Sequence, residues 1–227
     1  MHLLFFSRSP TYNDAYTYSR QQDLRRDKAL RITKEQAEEN RAQVLNTATK
    51  LFLEKGYDGI AVAELMQAAG FTHGGFYNHF NSKETLARAA TVNAFQKRAT
   101  AMAKAEDLEG HLRLYISDLH IDRPDEGCPA AALSSDAARA SPELKSIFAD
   151  GIEAMIVSLE KRLQSEGMRA PRTRRQLAIT LLTKMTGTIG LARAVPANHK
   201  LRSEILETGL KGALKEAATA ISASKNT

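Results

Sequence analysis

An all-α fold is the class this sequence predicts, and three observations carry it. No segment alternates apolar and polar residues with period two for long enough to make a strand. Ala, Leu, Lys, Arg and Glu dominate, Trp is absent and only 6 of 227 residues are Pro, a composition that favours helix. Apolar residues instead recur at helical spacing, in segments punctuated by Gly and Pro, which gives about nine helices. The second and third have the proportions of a helix-turn-helix within an N-terminal three-helix domain, and the remainder forms a larger helical domain.

The elements follow in order. Residues 1–33 show no sustained apolar period and are expected to be a mobile or partly helical extension. It leans basic through Arg20, Arg25, Arg26, Lys28, Arg31 and Lys34. The first clear helix carries Val44, Leu45, Ala48, Leu51 and Phe52 on one face and ends at Gly56, where a left-handed stop is expected. A short second helix carries Val62, Leu65, Met66 and Ala69 on one face and stops at Gly70. A third is expected from the cap Thr72 to Phe80. Asn81, with Glu84 three residues on, opens a long fourth helix reaching about Lys104. The expected domains are 34–86 and 87–227.

Further helices are expected over about 106–119, from Pro129 onward, from the Ser141-Pro142 restart to Glu166, and over about 172–194 and 200–222. Gly167 and Pro196 mark two of the breaks. No internal repeat is found.

Composition bounds the function. No stretch approaches the roughly 20 apolar residues of a membrane span. The lone Cys128 forbids an internal disulfide and suits a reducing cytosol, so a cytoplasmic protein is expected. The formal charge is +6 and the pI about 9.4, which suits a polyanionic partner. The excess is spread out: residues 1–90 hold 12 Lys/Arg and 10 Asp/Glu, a net of +2 that leaves +4 for the rest. The local pattern says more, because residues 65–83 contain no Asp or Glu at all. No phosphate-binding Gly loop, metal-ligand spacing or catalytic partner motif is found among His73, His79, His111, His120 and His199. Neither enzymatic activity, a cofactor nor a metal is expected.

The chemistry concentrates at residues 62–80. Gly70 permits a positive φ so that two short helices can cross steeply, and Ala68 and Ala69 are small enough for that approach. Phe71 and Phe80 bracket the third helix with apolar anchors. Thr72, His73, Gly74, Gly75, Tyr77, Asn78 and His79 are polar or small and lack any carboxylate that would repel phosphate. Two glycines in a helix cost roughly 1 kcal/mol each relative to Ala. A backbone that must lie close to a duplex explains them.

The ordered string Gly56-Tyr57, then Ala68-Ala69-Gly70-Phe71-Thr72-His73-Gly74-Gly75-Phe76-Tyr77-Asn78-His79-Phe80, then Ser82-Lys83-Glu84, resembles the N-terminal domain of the TetR/AcrR family of repressors. The likeness covers about residues 41–86. One departure is Ala61, where the family places a Ser or Thr cap; its loss costs about 1 kcal/mol.

The resemblance implies a ligand-responsive repressor that binds a palindromic operator as a homodimer. Thr72, His73, Gly74 and Gly75 would lie nearest base edges in the major groove, Tyr77, His79 and Lys83 would hold phosphates, and Asn78 is a further DNA-binding candidate. The second half would be the effector-binding and dimerisation domain. Phe95, Met102, His111, Tyr115, Phe148 and Met155 are its candidate pocket residues, with ordinary core packing as the alternative for each. Gly187, Gly190, Leu206, Leu210 and Ala213 are candidates for the two-fold interface, against the alternative of an intramolecular core stripe. Gly127-Cys128-Pro129 sets the thiol at an expected helix start and resembles the Gly-Cys step of family members that respond to electrophiles. Cys128 is therefore a candidate sensor, with structural packing as the alternative. A nucleic-acid binder without an effector is the other competing reading. The expected partners are double-stranded operator DNA, a second copy of the chain and a small-molecule effector, with no membrane.

Overall fold

The structure is a computed structural model that describes the backbone of residues 12–225 and the side chains of residues 34–224. Among the described residues it has ten α-helices, two 3-10 helices and no strand. The order is α1 (Tyr12–Lys55), α2 (Val62–Ala68), a 3-10 helix (His73–Asn78), α3 (Lys83–Met102), α4 (Leu108–Tyr115) and α5 (Asp118–Asp122). A second 3-10 helix (Pro124–Glu126) follows, then α6 (Pro129–Ala132), α7 (Ser134–Arg139), α8 (Pro142–Ser165), α9 (Pro171–Arg193) and α10 (Lys200–Lys225). No helix among the described residues is long and apolar enough to cross a membrane.

The chain divides into two units, Met1–Gln43 and Val44–Thr227. The first is the early part of α1, and its described side chains are largely exposed, with Gln36 bonded to Asn40 at 3.1 Å along the helix. The extension expected over 1–33 falls partly on residues 1–11, which lie outside the described residues. From Tyr12 the backbone is helical. Good helix formers suffice for that without an apolar stripe.

Local signals set most boundaries. Gly56, Gly70 and Gly167 have φ of 77°, 82° and 99°, the left-handed stops that close α1, α2 and the turn after α8. The cap of α3 is Ser82, whose Oγ accepts from Thr85 N at 3.0 Å, so the helix opens one residue later than an Asn81 cap would place it. At α2, Ala61 has no side-chain oxygen to offer. The Glu64 carboxylate nevertheless accepts from Ala61 N at 3.0 Å, which keeps the return half of a capping box.

Three expectations are corrected. The segment 106–119 is not one helix: α4 stops where Ile116 leaves the helical region, and Ser117 caps a new start at α5. The helix from Pro129 likewise breaks at Leu133 into the short α6 and α7. The third helix is a 3-10 turn rather than an α-helix, with Gly75 N donating to Thr72 O and His79 N to Phe76 O. Two adjacent glycines in so short a segment give α-helix little local support, and burial of Phe76 and Phe80 holds the segment in place instead.

In the second unit one apolar core runs from Val44 to Ala217. It joins α1, α2 and α3 at one end and α8, α9 and α10 at the other. Two glycines allow close approaches between helices. A Cβ at Gly209 of α10 would sit 2.2 Å from Thr188 Oγ1 of α9, and one at Gly151 of α8 would sit 2.3 Å from the Phe95 ring of α3.

Candidate nucleic-acid interface

The frame beneath the interface is apolar and buried. Leu65 and Met66 of α2 are fully buried, as are Val44 and Ala48 of α1, and Phe76 and Phe80 tuck in beside them at 1% and 2% exposure. Phe76 pairs with Phe80 at 6.3 Å between ring centres. With the 3-10 helix fixed by these rings, its other residues face outward. Thr72, His73, Gly74 and Asn78 are exposed, Tyr77 is 68% exposed, and Gly75, His79 and Lys83 are half-buried. His79 rests against the Phe71 ring at 5.8 Å. All eight sequence-predicted residues thus lie on one stretch at the end of α2 and the start of α3.

Gly74 and Gly75 have no positive φ. A Cβ at Gly74 would meet nothing within 4 Å, and one at Gly75 would make only ordinary contacts with Met66 and Thr72 at 3.8 Å. Neither backbone conformation nor packing within the chain asks for glycine at these positions.

This face is tied to the larger domain through α3. Tyr57, just past α1, shares a buried 2.7 Å hydrogen bond with Thr91 of α3, and burial raises its pKa to about 12. Ser141, the cap of α8, donates to Glu84 in the first turn of α3 at 2.7 Å. The same helix then continues to a cavity.

That cavity, about 380 Å³, lies between α3, α4 and α8. Phe95, Met102, His111 and Met155 line it, together with Arg98, Gly151 and Leu159. Phe148 and Tyr115 do not line it but support its wall. Phe148 packs edge-on against Phe95 at 5.3 Å, and Tyr115 lies under the Arg98 guanidinium at 4.7 Å. Sequence reasoning missed Arg98 and His120. The available signal was a charge on an apolar stripe, since Arg98 follows Phe95 by three residues and precedes Met102 by four.

Cys128 is fully buried, its thiol 3.8 Å from Met155 Sδ and its backbone N–H donating to His120 Nε2 at 2.9 Å. It caps a helix of only four residues, so no long helix dipole acts on the thiol. The interface candidates separate into two sets. Leu206 and Ala213 are buried within the chain at 8% and 0% exposure, because α9 and α10 pack tightly on each other. Gly190 and Leu210 are half-buried, and Gly187 is exposed with open space above it. Beside Gly187, exposed apolar side chains continue along α9 at Ile179 and Leu191 and onto α10 at Leu201.

A buried aromatic frame holding out a carboxylate-free, glycine-bearing short helix, joined by one long helix to an apolar cavity, is the build of a helix-turn-helix protein. The comparisons narrow the class. The family model for bacterial regulatory proteins of the tetR family matches residues 44–90, and that for the C-terminal domain of LmrA/YxaF-like transcriptional regulators matches residues 104–204. The chain belongs to the TetR family of bacterial transcriptional regulators.

Among relatives, the probable regulator ArpR of Pseudomonas putida is 34% identical over 37% of this chain and 39% of its own length. The repressor DhaR of a Mycobacterium species is 28% identical over 63% of this chain and 74% of its own. The chain spans under two fifths of the length of ArpR and of TtgR, two of the curated relatives it matches. A TetR regulator from Chloroflexus aurantiacus superposes with a TM-score of 0.64 at 26% identity, covering 83% of this chain and 96% of that one. Reduced Escherichia coli NemR gives 0.64 at 21% identity over 77% of this chain and 95% of that one, a likeness of fold.

Proposed function

We propose that the protein is a repressor that binds a near-palindromic operator as a homodimer and is released by a small molecule entering the α3–α4–α8 cavity. The observation that carries the DNA reading is the pair Gly74 and Gly75, which the chain's own packing and φ angles do not require. An outside surface that approaches the backbone closely does require them. Thr72, His73, Gly74, Gly75 and Asn78 then face base edges, while Tyr77, His79 and Lys83 hold phosphates. Operator binding and small-molecule release place the protein in the cytoplasm.

Pairing of two copies uses the face left apolar in the protomer: Ile179, Gly187 and Leu191 of α9, with Leu201 of α10. Release works through α3, which carries Lys83 at one end and Phe95, Arg98 and Met102 in the cavity. A ligand that favours one position of this helix changes the spacing of the two reading heads. The full burial of Cys128 favours a reversible ligand over an electrophile as the inducer.

The test is selection of bound fragments from genomic DNA followed by footprinting. The expected result is a protected near-palindrome with half-site centres about 34–36 Å apart. Equal affinity for random DNA at the same salt would reject the repressor reading in favour of a non-specific binder.

A further inference from the structure

Arg98 is a buried cation with no anion to pair with. It is 8% exposed, and among the described residues no carboxylate forms an ion pair with it. Its Nε has no hydrogen-bond partner. The nearest candidate acceptor is His120 Nδ1, at 3.3 Å from Nη2. That nitrogen is already committed. His120 Nε2 accepts from Cys128 N–H at 2.9 Å, so the single proton of the neutral ring sits on Nδ1 and donates to Tyr115 O at 2.6 Å. Burial, with Arg98 next in importance, lowers the His120 pKa to about 3, which keeps the ring neutral. The guanidinium is left with the face of Tyr115, a weak substitute for a counter-ion.

A second polar group in the same cavity is also unfilled. His111 is 4% exposed, lines the cavity beside Arg98, and has no hydrogen-bond partner for its Nδ1. The remaining wall is largely apolar, with Phe95, Met102 and Leu159 prominent in it.

 The carboxylate at the cavity's rim, Asp150, is exposed and makes no ion pair with Arg98. The guanidinium of Arg162, which also bears on His111, is engaged with the backbone oxygens of Met102 and Ala105 at 2.9 Å.

Buried charges in proteins are paired, because an isolated one is costly to desolvate. We infer that the cavity takes an anionic effector: an apolar, aromatic-sized body bearing one acidic oxygen group, a carboxylate in the simplest case. Arg98 supplies the counter-charge and neutral His111 a hydrogen bond. The volume of about 380 Å³ suits a small molecule of this kind. This inference rests on the cavity being the effector site, and it adds the charge class of the effector.

The experiment is calorimetric titration of the full chain at pH 7.5 with two matched probes, 2-naphthylacetate and the neutral 2-naphthylacetamide. The carboxylate is expected to bind at least ten-fold more tightly than the amide. Arg98→Met should abolish that preference, and Arg98→Lys should retain part of it. Ala154→Trp, at the cavity wall, should weaken both probes together. Equal affinity of the wild type for the two probes, or a preference that survives Arg98→Met in a folded variant, overturns the charge inference and leaves the cavity reading intact. Binding that is unaffected by Ala154→Trp, or no binding of either probe, overturns both. If Arg98→Met does not fold, as judged by its circular dichroism, the wild-type ratio and the Arg98→Lys titration decide the matter.

Discussion

Gly74 gives the sharpest residue-level test, because its two possible roles predict opposite results. With open space around its missing Cβ and no positive φ, Gly74→Ala should leave thermal stability unchanged or raise it by up to about 1 kcal/mol. If the backbone there approaches DNA, the same change should weaken operator binding at least ten-fold. A variant that loses stability and affinity together would show that the glycine serves the fold. The neighbours separate readout from positioning. His73→Ala should relax discrimination at one or two bases by about 1–3 kcal/mol, whereas Lys83→Ala should weaken all sequences and flatten the salt slope by about one unit. Equal losses on specific and random DNA for His73→Ala would remove it from the reading residues. Cys128→Ser is expected to leave effector release unchanged. Release by maleimide in the wild type alone would instead make the buried thiol the sensor.

At the scale of elements, α9 and α10 hold two different sets of apolar residues. Leu206 and Ala213 fill the seam between the two helices, while Leu191 is 63% exposed. A glutamate at Leu191 should therefore leave a folded, helical protomer that sediments as a monomer and has lost operator affinity, since a desolvated charge would have to face the partner. A glutamate at Leu206 should instead unfold the chain at lower temperature, at a cost of several kcal/mol. If the Leu191→Glu variant remains dimeric, the interface lies on another face. The long α3 joins reading head and cavity, so Tyr57→Phe, which removes the bond to Thr91, should change inducer response more than stability.

For the whole molecule, the buried histidines set a pH dependence. Burial is the main reason that the pKa of both His111 and His120 falls from 6.5 to about 3 in the folded chain. The unfolded chain binds these protons first as pH drops, so the stability they contribute is complete above about pH 6.5 and is lost progressively toward pH 3. Each should remove about 1.4 kcal/mol between pH 7.5 and 5.5, a range in which carboxylates barely titrate. Urea unfolding at the two pH values measures the loss, and His120→Gln should reduce it by about half. A wild-type stability that does not change across this range would contradict the buried, neutral state of both rings.

The sequence by itself determined what depends on neighbours along the chain. Gly56, Gly70 and Gly167 end helices because their φ values are positive, and a run of residues identifies them as stops without any tertiary partner. The same holds for the Ser141-Pro142 restart, for the all-α class, and for a carboxylate-free stretch over residues 65–83. Tertiary structure decided the rest. Whether Leu206 or Leu191 is the buried one depends on how α9 rolls against α10, which the close fit at Gly209 and Thr188 fixes. Phe76 and Phe80 hold a 3-10 turn through contacts distant in sequence, where local propensity suggested an α-helix. Arg98 was visible as a charge on an apolar stripe, but its lack of a counter-ion was not. An absence of partners is a property of every element around a cavity at once, and only the folded chain brings those elements together.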